Sequence, residues 1–146
     1  MKTRKPIKYR YIDSLYEYTL DIIFTNDVKR SLKSLYKQWN ISEEVHDCEG
    51  CTVICQGKED KYQDISKYAL IFDYSKLTNN LIAHEIQHLA AFVLSDRSID
   101  LEGGNDDYEN MAWLNGHLHE VVYSIIDKET LPIYNVKLTP TFKKIR

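Results

Sequence analysis

One string limits this chain more than any other: His84-Glu85-Ile86-Gln87-His88, set inside the apolar-periodic run Leu81 to Val93. Leu81, Ile82, Ile86, Leu89, Ala90 and Val93 recur at helical spacing, so the segment reads as a helix packed into a domain. Residues four apart stand one above the other on a helix, so His84 and His88 can grip one metal ion between their rings. Glu85 then lies beside that ion, where a carboxylate can take a proton from a bound water. Two imidazoles near buried surface need a partner for their polar atoms, and a metal is an economical one.

A catalytic tetrahedral zinc takes three protein ligands and leaves the fourth position to water. The extended pattern HExxHxxGxxH does not continue here, because Ala91 and Leu94 stand where its glycine and third histidine would be. The candidate third ligand is Glu109, in a stretch that reads as a second helix with Asn105 or Asp106 as N-cap and acids in its first turn. Met111, Leu114, Leu118, Val121, Val122 and Ile125 form its apolar stripe. Glu109, Ala112 and Gly116 share a neighbouring face, and the small residues there would let the two helices approach closely. Asp106, Asp107, His117 and Glu120 are the alternative ligands.

HExxH followed by a glutamate on the next helix resembles the gluzincin branch of the zincin metallopeptidases. The chain is particularly similar to very small members, including short phage-encoded peptidase-like proteins and ImmA/IrrE-like proteins. The resemblance covers roughly residues 68 to 126 and rests on His84, Glu85, His88 and Glu109. It implies that His84, His88 and Glu109 bind Zn2+ and that Glu85 is the general base. It also implies a cleft edge at Tyr68, Leu70 and Phe72 within the strand Tyr68 to Tyr74, or at the strand Thr52 to Cys55, where an extended peptide could add as a further strand. Large gluzincins use a tyrosine or histidine on the oxyanion; Tyr108 and His117 are the candidates for such a contact here, set against packing roles for both.

The 146 residues suit one domain with a single core, and 43% apolar with 28% charged residues is an ordinary globular balance. No apolar run is long enough to cross a bilayer, and no secretory signal is visible behind the basic start, so a cytoplasmic protein is expected, in a phage-encoded setting or otherwise. A net charge of -3 argues against a general nucleic-acid binder. Lys2, Arg4, Lys5, Lys8 and Arg10 read as a solvated basic segment over residues 1–13, and 129–146 as a tail. Cys48, Cys51 and Cys55 cannot all pair within one chain, and with His46 they lack the second ligand pair of a closed zinc site. They read as small buried thiols.

The expected order is a strand from Tyr16 to Phe24, a helix from Val28 to Trp39, a short strand from Thr52, a strand from Tyr68 to Tyr74, the HExxH helix from about Thr78 to Asp96, and the Glu109 helix fading after Asp127. One further short strand is expected at Ile133 to Leu138. This is an α+β arrangement, a minimal zincin-like fold with a small mixed sheet covered by helices and a core over about 14–128. Two functions compete: a zinc-dependent peptidase acting on a peptide or protein substrate, and a non-catalytic zincin-fold protein that serves binding, regulation or a phage accessory role.

Overall fold

The computed structural model describes residues 4–55, 66–97, 105–134, 141 and 143–145, with backbone alone for 105–107. Strand β1 (Ile7–Asp13) turns back into β2 (Tyr18–Thr25), and helix α1 (Val28–Trp39) follows. Strands β3 (Gly50–Cys55) and β4 (Ser66–Asp73) lead to helices α2 (Asn79–Asp96) and α3 (Asn105–Glu129). The sheet order is β1-β2-β4-β3. β1 pairs antiparallel with β2, β2 parallel with β4, and β3 antiparallel with β4. The α+β expectation holds: the described residues form one mixed four-stranded sheet and three helices.

Side chains alternate across a strand, and both sheet faces are apolar. Tyr18, Leu20, Ile22 and Phe24 of β2 and Tyr68, Leu70 and Phe72 of β4 point to one face, where Ile82, Ile86, Leu89 and Val93 of α2 and Leu114, Leu118 and Val122 of α3 cover them. Ile23, Val53, Ala69 and Ile71 point to the other, under Val28, Leu32 and Leu35 of α1. Each fully buried leucine or isoleucine in these layers contributes about 1.5–3 kcal/mol of apolar burial. The core therefore lies on both sides of β2 and β4.

Local signals set the helix ends. Asp27 caps α1 by accepting from the Arg30 amide, and Asn40 closes it in the left-handed conformation, φ 54. Thr78 caps α2 by accepting from the Leu81 amide. After α3, Thr130 takes φ 53, and the Leu131 amide donates to the Ile126 carbonyl.

Two expectations change. Residues 7–13 are not a solvated segment: Ile7, Tyr9 and Tyr11 pack against the core, and β1 pairs along its length with β2. The interleaved Lys8 and Arg10 disguise a period-2 strand as a basic tail. The first expected strand begins later, at Tyr18, because Ser14–Glu17 makes the turn and Glu17 sits at φ 53. The short strand expected at Ile133 to Leu138 is absent at Ile133 and Tyr134, where the Tyr134 amide instead donates to the Leu77 carbonyl; the remainder lies outside the described residues.

Candidate metal site on helix α2

α2 presents three faces. Ile82, Ile86, Leu89 and Val93 enter the core, Gln87 meets α3, and His84 and His88 face outward. Nε2 of His84 lies 3.1 Å from Nε2 of His88, with the ring planes at 81°. Two zinc–nitrogen bonds of about 2.0–2.1 Å at a tetrahedral angle place their nitrogens about 3.3 Å apart. The pair therefore fits a shared divalent ion without moving either ring far.

Glu85 follows His84 by one residue, which turns its side chain about 100° toward the sheet. Only 6% of it is exposed. Its Oε2 accepts from the Thr52 hydroxyl at 2.7 Å, and the same hydroxyl oxygen lies 3.0 Å from the Glu85 carbonyl oxygen. Its Oε1 stands 3.9 Å from His84 Nε2. The carboxylate is thus buried against β3 with one oxygen turned toward the imidazole pair. Gly50 lies two residues before Thr52 on the same face of β3, opposite Leu81 and Glu85. A β-carbon there would meet Leu81 Cδ1 at 3.1 Å and Glu85 Cγ at 3.4 Å.

The strand beside this site is β3, which holds a sheet edge. Of the two strands named for a cleft edge, β3 with Thr52 to Cys55 is the one at the sheet edge, and β4 with Tyr68, Leu70 and Phe72 is interior. β4 pairs on both sides, and all three side chains are buried in the core. A strand carrying an unbroken apolar run is an interior one, with no free backbone groups to offer a peptide.

α3 runs antiparallel to α2. Asn115 Nδ2 donates to Gln87 Oε1 at 3.0 Å, and the Tyr123 hydroxyl donates to Asn79 Oδ1 at 2.5 Å. Glu109 is exposed on the first turn of α3. It precedes Asn115 by six residues, which at about 100° per residue leaves it about 120° around the helix from the face that meets Gln87. Among the described residues, no group of three His, Cys, Asp or Glu side chains is gathered to hold a metal. Tyr108 is 63% exposed and lies nearer the Asn115 face. Glu120 is exposed, and the side chains of Asp106 and Asp107 lie outside the described residues.

His117, expected as a substrate or oxyanion contact, is engaged on the β1 side of α3. Its Nε2 lies 2.5 Å from the Tyr11 hydroxyl and 3.7 Å from Asp13 Oδ2, and Trp113 stacks on the ring. Two residues past Asn115, it falls about 200° around α3, toward β1. Burial pushes the Tyr11 hydroxyl up to about 12, with its hydrogen bond to Asp13 and that carboxylate's charge adding to the shift.

Thr52 and Gly50 carried no signal in the sequence, since nothing local links them to Glu85. His119 was also passed over. Four residues after Asn115 and four before Tyr123, it shares their α2-facing side. Its Nδ1 lies 2.6 Å from the Asn115 carbonyl oxygen, which can only accept, so the proton sits on Nδ1. The cysteines are free and half-buried. Cys48 and Cys51 pack against the α1 cluster, and burial pushes both thiols up, Cys51 strongly. Thiols in such surroundings are poor nucleophiles.

The chain matches no protein-family model, no curated protein and no solved structure. Among the described residues, no helix is long and apolar enough to cross a membrane.

Proposed function

We propose that this chain is a zinc-dependent peptidase, with His84 and His88 holding the metal and Glu85 as general base. Glu109, exposed and about 120° around α3 from the α2 seam, is the third ligand this reading calls for and would have to turn toward the pair to serve. The observation that carries the reading is the 3.1 Å separation of the two imidazole Nε2 atoms, with a buried carboxylate oxygen 3.9 Å from one of them. Zinc bound there would supply Lewis acidity, polarising a peptide carbonyl and lowering the pKa of water to about 7. Glu85 takes the proton of the attacking water through Oε1 and returns it to the leaving amine. His84 and His88 are exposed, so an extended peptide has access to them beside β3, the edge strand among the described residues.

Glu85→Gln should keep the metal and lose about 100-fold or more in turnover of an unfolded protein such as casein. A Glu85→Gln chain that cleaves as fast as the parent sinks the assignment. A second reading is a zincin-like protein that binds without cleaving. It is favoured by the lack of a third donor gathered with the histidines among the described residues. Zinc bound stoichiometrically, with no cleavage of unfolded protein by the parent, would decide for it.

A further inference from the structure

We propose that Thr52 is a positioning residue for Glu85, its hydroxyl tying down Oε2 so that Oε1 alone is left to work beside the imidazole pair. The inference rests on the reading of Glu85 as the base.

A carboxylate has two equivalent oxygens and a soft terminal torsion, so a buried one does not by itself choose which oxygen faces a reactant. Here the choice is made by β3. Thr52 Oγ1 lies 2.7 Å from Glu85 Oε2, a short charge-assisted bond. The β-branched threonine has a restricted χ1, and its strand is paired to β4 through the Thr52–Leu70 register. The anchor is therefore stiff. Two residues earlier on the same face, a β-carbon at Gly50 would stand 3.4 Å from the glutamate's Cγ, an ordinary contact distance, so the strand runs close beside the Glu85 side chain. With Oε2 engaged, Oε1 remains, 3.9 Å from His84 Nε2. The hydroxyl has a single proton to give, so its contact of 3.0 Å with the Glu85 carbonyl oxygen competes with the carboxylate bond and does not add to it.

The test uses the zinc-loaded full chain and its Thr52→Val and Thr52→Ser variants, with fluorescently labelled casein as substrate. Thr52→Val keeps the shape and loses the hydroxyl. It is expected to lower kcat about 10- to 100-fold with KM and zinc content unchanged, while Thr52→Ser recovers most of the loss. In 13C spectra of glutamate-labelled protein, the Glu85 carboxyl resonance should move in Thr52→Val and stay near its parental position in Thr52→Ser. A Thr52→Val chain with parental kcat, or with an unmoved Glu85 resonance, overturns the proposal. So does loss of zinc in Thr52→Val, which would make Thr52 a support of the metal site and not of the base. If the parent cleaves nothing while the resonance moves as expected, the tie between Thr52 and Glu85 stands and the peptidase reading falls.

Discussion

Gly50 and Glu85 face each other across the interface between β3 and α2: a β-carbon on Gly50 would stand 3.4 Å from the Cγ of Glu85, and 3.1 Å from Leu81 Cδ1. The tighter of the two approaches is to Leu81, not to Glu85. The role of this glycine is one of space, not of an unusual backbone angle.

Substitution at Gly50 should therefore scale with size. Gly50→Val is expected to destabilise the fold by about 1–3 kcal/mol through overpacking against Leu81 and Glu85. Gly50→Ala should cost much less, since Leu81 is only half-buried and its far end can shift. Urea unfolding of the two variants measures the difference. A Gly50→Val chain as stable as the parent would mean that β3 and α2 are not held this closely.

Metal binding separates the candidate ligands. His84→Ala and His88→Ala should each abolish stoichiometric zinc, because either change leaves one imidazole alone. Glu109→Ala is expected to weaken zinc by more than about 100-fold, beyond the 10- to 100-fold that loss of a supporting contact usually costs. Competition with a chromophoric chelator gives all three affinities. Unchanged zinc affinity in Glu109→Ala would remove this residue from the site and leave it on the solvent face.

Alkaline pH should loosen the corner where β1 meets α3. Tyr11 is raised to about 12 by burial first and by Asp13 second, against an ordinary value of 10.0. The folded chain therefore holds a proton that the unfolded chain has already released between these limits. The stabilisation is complete below about pH 10 and is lost as pH rises toward 12. A titration of tyrosinate absorbance should show a late-ionising tyrosine that disappears in Tyr11→Phe. Tyr18 and Tyr68, both raised chiefly by burial, should ionise only with unfolding. Ionisation of all eleven tyrosines near pH 10 in the folded chain would contradict this network.

Much of the architecture was legible because its signals are local. Val28, Leu32 and Leu35 announce α1, and Asp27 and Thr78 announce the starts of α1 and α2 through side-chain capping. β1 escaped because Lys8 and Arg10 mask the alternation of Ile7, Tyr9 and Tyr11. The choice between the two strands named for a cleft edge stayed open for another reason. The Tyr68-to-Phe72 run announces a strand but not its neighbours, and strand order depends on pairings with residues far away in sequence.

From the order of its residues alone, this protein settles that two imidazoles four apart on a buried-faced helix stand together with a carboxylate beside the first of them. Helical periodicity is a property of neighbours along the chain. Which partners those groups meet was decided only in three dimensions. Thr52 reaches Glu85 because β3 takes the sheet edge, His117 turns to Tyr11 and Asp13, and Glu109 starts about 120° from the seam with α2. Helix phase and strand order arise from packing the whole core at once, and no short stretch of sequence contains them.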